Sequence, residues 1–145
     1  MKKHRIAVTD RQSCLPVDGV ALKTVLEGLL AEAAAGAELS VVVVDDEEMT
    51  GLNERFLGRR DTTDVIAFPY EDDADYIEGE VVINAQEAVR QAAERTHSAQ
   101  DELLLYAVHG TLHLMGYDDS QAPARRAMHK RALELLAGAG RVLES

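Results

Sequence analysis

The chain has 145 residues, which suits one domain with a sizeable core and is too short for two comfortable ones. Its hydrophobic and charged fractions, 46% and 28%, lie near globular averages and exclude a disordered or fibrous protein. A formal net charge of -11 speaks against indiscriminate nucleic-acid binding, because phosphate neutralisation needs clustered Lys and Arg.

Local clusters depart from that average. Six acids crowd residues 71–80, whereas Arg55, Arg59 and Arg60 lie close together and Arg125, Arg126, Lys130 and Arg131 form a second basic group. Either these cations build one basic face or they are solvated helix surface. Cys14 is the only cysteine, so an internal disulfide and a cysteine-rich metal site are excluded, and the residue is read as structural. Residues 1–5 are basic, but Thr9, Asp10 and Arg11 follow too soon for an apolar signal segment. No apolar run approaches about 18 residues, so a cytoplasmic protein without a membrane span is expected.

In chain order, residues 4–8 suit a short strand. A helical pattern starts at Leu15-Pro16, continues through Leu22, Val25, Leu26, Leu29 and Leu30, and ends near Gly36. Residues 39–44 form a β-branched apolar run, the signature of a well-buried strand. Asp45 with Glu48 reads as a capping pair opening a helix through Leu52 and Phe56 to Gly58. Residues 64–68 predict a strand stopped by Pro69, and residues 79–84 its antiparallel partner, joined by the acidic loop. From Ala85 the pattern is helical as far as Thr96 and His97, which mark a helix junction. Ser98 and Asp101 then cap a helix that is apolar on nearly every side and stops at Gly116. A last helix is expected over residues 123–136. Strands come early and helices late, which favours an α+β fold over a regular doubly wound one.

The chemistry concentrates in HGTLHLMGYDD, residues 109–119. Residues four apart share a helix face, so His109 and His113 present both imidazoles to one point. A core histidine that merely hydrogen-bonds is the competing explanation for each. Gly110 costs about 0.5 to 1 kcal/mol in a helix relative to alanine, so a close approach to the backbone is expected there. Gly116 can take positive φ and turn the chain back, returning Asp119 to the histidine face. Three protein ligands and an open position describe a catalytic zinc site, and imidazole with carboxylate is a suitable set. His109, His113 and Asp119 supply that number, with Asp118 as the rival third ligand or as an acceptor that orients an imidazole. His129, one residue after Met128 in the last helix, could approach the metal but is read as a partly exposed helix histidine, and Phe68 and Pro69 as packing residues.

This stretch resembles the H-G-x-L-H-L-x-G-Y-D-H signature of the YbeY family, bacterial endoribonucleases and rRNA maturation factors. Every fixed position through Asp118 matches, and Asp119 stands where the family's third metal-binding histidine occurs. Leu52-Asn53 and residues 63–69, TDVIAFP, are similar to its L-N…P-T-D-V-L-S-F-P segment, with Thr62 replacing the proline and Ala67 the serine. Residues 79–83, GEVVI, are similar to its G-D-I-x-I strand. Leu57 takes the place of an arginine that many members carry, and Arg59 or Arg60 is expected to substitute for it.

The resemblance implies a mixed sheet packed with helices and a metal site on the central helix. Joined to the element order, it predicts one α+β domain over residues 1–145, with about four strands and about five helices and a zincin-like site. It also implies a single-strand-specific endoribonuclease that uses one Zn2+ per chain in 16S rRNA 3'-end maturation and ribosome quality control. Expected partners are the 16S rRNA precursor and the ribosome or its small-subunit proteins, with no DNA. Within that reading His109, His113 and Asp119 hold the metal, Arg59 or Arg60 neutralises transition-state phosphate charge unless both are surface arginines on a loop, and Asp118 is either the candidate general base or a structural cap of the turn.

Two rivals remain open. The spacing is also similar to the metzincin pattern H-E-x-x-H-x-x-G-x-x-H, but Gly110 occupies the position of the glutamate that serves as general base, which disfavours peptide hydrolysis. A non-catalytic ribosome-associated factor, with a metal that only staples the fold, is favoured by Leu57 and by the acidic balance.

Overall fold

The computed structural model describes residues 3–33, 36–73 and 76–143. It contains β1 (His4–Asp10), α1 (Gly19–Glu32), β2 (Gly36–Val44), α2 (Asp46–Leu57), β3 (Val65–Asp73), β4 (Tyr76–Asn84), α3 (Ala85–Ala93), α4 (Ala99–Leu114) and α5 (Ala122–Gly138). The strands form one mixed sheet in the order β1-β2-β4-β3. Strand β2 runs parallel to both β1 and β4, whereas β3 pairs antiparallel with β4. The expected α+β architecture, with its four strands and five helices, is therefore present.

Alternation along the central strands sends side chains to two cores. Val41 and Val43 of β2, with Val81 and Ile83 of β4, join the large core built with α1, α4 and α5. Val42 and Val44, with Val82, turn to the opposite face and pack with Met49 of α2 and Ile66 of β3. Both faces of β2 and β4 are thus covered, which is why these strands read as nearly continuous apolar runs rather than as alternating ones.

Three boundaries differ from the sequence expectation. Helix α1 starts at Gly19, not at Leu15, because the Asp18 side chain accepts from the Ala21 amide at 3.0 Å and caps the helix there. Its expected stop, Gly36, instead opens β2. Strand β3 continues through Pro69 to Asp73, with a register shift between Pro69 and Glu71. An edge strand tolerates a proline because its outward side needs no ladder hydrogen bond. Most of the expected acidic loop is accordingly β3 and β4, and residues 74–75 between them lie outside the described residues.

Helix α4 rests on β3 and β4 through a glycine. A Cβ on Gly110 would meet Val81 Cγ1 at 2.4 Å and Val65 Cγ2 at 3.0 Å. The close approach expected at Gly110 is therefore that of the sheet. It brings the turn of α4 that carries the first histidine down onto the strands.

Candidate metal centre

Glu102, Tyr106, His109 and His113 follow one stripe of α4 at spacings of four, three and four residues. The stripe emerges from the core. Glu102 and Tyr106 are buried, while both histidines are half-buried. Ser98 starts the helix by accepting from the Asp101 amide at 3.1 Å, and the buried Glu102 is partnered by His97 across the α3–α4 junction and by Arg95 at 3.7 Å. His97 is thus a junction residue, as expected, but one committed to a buried carboxylate.

Helix α4 ends in a Schellman turn. Gly116, at φ +99, donates its amide to the His113 carbonyl at 3.0 Å, and the Tyr117 amide reaches the Leu112 carbonyl at 3.0 Å. The chain then folds back, so that Asp119 Oδ2 lies 3.2 Å from His113 Nε2. Asp118 points elsewhere. Its two carboxylate oxygens accept from the Ser120 amide at 2.9 Å and the Ser120 hydroxyl at 2.8 Å, and these bonds hold its carboxyl below the usual carboxylate range. Asp118 closes the turn that presents Asp119.

His129 of α5 is a partial correction. It is partly exposed, as expected, but it also takes the second-ranked alternative, approaching the site with Nδ1 3.4 Å from His109 Nε2. Helix α5 packs Met128 and Ala132 into the core beside α4 and so delivers the intervening imidazole to the site. Burial, together with the nearby His129 and His113, pushes the His109 imidazole down to about 4. Neutral imidazole is the form that binds a metal, so His109 needs no deprotonation at neutral pH.

Four donors therefore stand as two pairs, His113 with Asp119 and His109 with His129. Among the described residues, no three His, Cys, Asp or Glu side chains form a ready-made cage for an ion. The donor chemistry nevertheless fits a borderline divalent cation, since imidazole and carboxylate are ordinary zinc ligands. The pair spacings fit as well. Two ligands on a tetrahedral ion with bonds of about 2.0–2.1 Å stand about 3.3–3.4 Å apart.

Arg59 and Arg60 follow Gly58, which ends α2 in the left-handed region at φ 71, and both are exposed. Among the described residues neither is bonded to a histidine. Their loop leads to Val65, which lies beneath Gly110, so it approaches the edge of the sheet on which the site rests. Asn53 and Asn84 brace that loop. Asn53 Nδ2 donates to the Asp61 carbonyl at 2.7 Å, and Asn84 Nδ2 donates to Thr62 Oγ1 at 2.9 Å and to Asp46 Oδ1 at 2.8 Å. Asp46 also takes two bonds from Arg90, which hold its carboxyl down to about 2.

Sequence reasoning passed over Glu102 and undervalued His129. The signal for Glu102 was an acid set directly against Leu103-Leu104-Leu105. His129 had only its position between the core residues Met128 and Ala132, a cue that emerges once the face of α5 is known.

A family profile described as Endoribonuclease YbeY matches residues 7–140. The chain is 43% identical over 117 residues to the Endoribonuclease YbeY of Thermobifida fusca, covering 74% of this chain and 76% of that one. With the Pelotomaculum thermopropionicum protein of the same description it shares 39% identity over 134 residues, covering 81% and 88%. For the Moorella thermoacetica counterpart the identity is 36% over 150 residues, with 92% and 96% covered. In fold the chain is similar to the solution structure of TM1509 from Thermotoga maritima, at a TM-score of 0.60 and 23% identity over 93% of this chain and 91% of that one.

Proposed function

The chain belongs to the YbeY endoribonuclease family, and from that premise we propose how its residues serve RNA cleavage. It is an RNA-cleaving hydrolase whose 145 residues act as one unit. Its substrate is single-stranded RNA, with the 3' end of the 16S rRNA precursor as the target in ribosome maturation and quality control. The small ribosomal subunit is the partner that presents this end, and the cytoplasm is the compartment. No helix among the described residues is long and apolar enough to cross a membrane.

His109, His113 and Asp119 would hold a zinc ion. When bound, such an ion supplies Lewis acidity towards a phosphate oxygen and a water molecule. The remaining work falls to the chain itself. His109, kept neutral by burial, is ready as a donor across the physiological range. Asp118 fixes the turn through Ser120 and keeps Asp119 facing His113. Arg59 or Arg60, exposed on a loop braced by Asn53 and Asn84, offers a planar guanidinium to a phosphate.

The observation that carries the reading is the 3.2 Å approach of Asp119 to His113 across the Gly116 turn, beside a second imidazole one helical turn away. The test is purified protein on structured rRNA with and without chelator, and with casein as a control. Cleavage of single-stranded RNA that chelator abolishes and zinc restores is expected. RNA binding without cleavage would instead favour a structural metal, and casein cleavage a protease.

A further inference from the structure

We infer that His129 is a metal ligand, a third imidazole that joins His109, His113 and Asp119; this rests on the reading of those three as the metal site. His129 lies 20 residues beyond His109 and outside the turn that carries the other donors. Three observations on geometry lead to it.

The first is which nitrogen it meets. Asp119 approaches His113 at Nε2, and His129 approaches His109 at Nε2. An outer partner that merely orients a ligating histidine bonds the ring nitrogen turned away from the ion. His129 stands at the same nitrogen by which the neighbouring histidine faces its carboxylate, so it occupies the coordinating side.

The second is distance and attitude. A separation of 3.4 Å lies beyond the roughly 2.7–3.2 Å usual for hydrogen bonds donated by N–H in proteins, and it matches the spacing of adjacent ligands on a tetrahedral ion. The rings are tilted by 46° with centroids 5.5 Å apart, so they meet by their nitrogen edges rather than stacked.

The third is support. Met128 and Ala132, 4% and 0% exposed, lock α5 into the core that also holds α4. Placing ligands on two packed helices fixes their spacing better than a loop does. Three imidazoles and one carboxylate make a donor set that selects zinc or cobalt over magnesium or calcium, which favour oxygen ligands, and zinc can expand to five ligands, so the set does not exclude a water molecule.

The experiment measures zinc affinity by competition with a chromophoric chelator, and the visible spectrum of the Co2+ form, in the full chain. His129→Asn is compared with wild type and with His113→Ala, and His129→Gln serves as a second variant if the first fails to match the wild-type circular dichroism. In the His129 variant we expect zinc affinity to fall by more than about a hundredfold, beyond the 10- to 100-fold typical of an outer partner. Its cobalt bands should shift and weaken as a nitrogen donor is replaced by water. Unchanged affinity and spectrum in the His129 variant, with His113→Ala still losing metal, would overturn the assignment and leave the three-ligand site intact. A weaker affinity with an unaltered cobalt spectrum would make His129 an outer partner and also overturn it. Wild-type protein that took up neither ion would sink the underlying site itself.

Discussion

Gly110 of α4 and Val81 of β4 stand so close that a single added methyl would meet Val81 Cγ1 at 2.4 Å. The helix that carries both site histidines is seated on the sheet at this point. Alanine at position 110 gains about 1 kcal/mol of helix propensity, but overpacking costs about 1–3 kcal/mol and the clash here is with a β-branched side chain. Gly110→Ala is expected to lower the melting temperature by several degrees. Adding Val81→Ala removes the obstructing atoms, so the cost of Gly110→Ala should shrink in that background, as calorimetry of the double-mutant cycle would show.

Much of this arrangement was legible in the sequence because it is local. The four-residue histidine spacing, Gly110 and Gly116 each declare a backbone requirement within one helix and its turn. The fold class followed from periodicity and element order. Pro69 misled because a proline's effect depends on whether its strand lies at an edge, which is a property of the sheet and not of the segment. His129 was undervalued for a similar reason. Its meeting with His109 spans 20 residues and two helices, and no local pattern encodes how α5 rotates against α4.

The turn after α4 gives a second expectation. Gly116 has φ +99, where a Cβ costs about 1–2 kcal/mol. Gly116→Ala should destabilise the protein by about that amount in urea and also weaken zinc binding, since Asp119 no longer returns to His113. A control substitution at the exposed Gly138, which lies in α5 with open space around it, should leave zinc affinity unaltered.

The two adjacent aspartates are expected to separate in their effects. Asp119→Asn should lose most zinc affinity, whereas Asp118→Asn should lose less than about tenfold, because its amide oxygen can still accept from the Ser120 amide. Asp119→His should retain or tighten zinc. Loss of metal in that variant, measured by elemental analysis, would shift the ligand assignment to Asp118.

Stability of the metal-free protein should depend on pH through His109. Its folded value lies near about 4 against an ordinary 6.5, so the unfolded chain takes up the proton first as pH falls. The contribution is constant above about 6.5 and is lost progressively between about 6.5 and about 4, at up to about 1.4 kcal/mol per pH unit. Urea unfolding across that window should show the slope, and His109→Asn should reduce it.

Replacing Arg59 and Arg60 together by alanine should weaken RNA binding, and the slope of log affinity against log salt should fall by about one for each phosphate that is no longer neutralised. Zinc content should be unaltered, since both side chains are exposed and outside the donor set. A slope equal to that of wild type would return both arginines to the solvated surface.

The most direct measurement is an anomalous-difference map from crystals grown with zinc. The account predicts one strong peak within about 2.0–2.2 Å of His109 Nε2, His113 Nε2 and an Asp119 carboxylate oxygen. No peak there, or a peak that lacks any one of these three atoms within bonding distance, would contradict it.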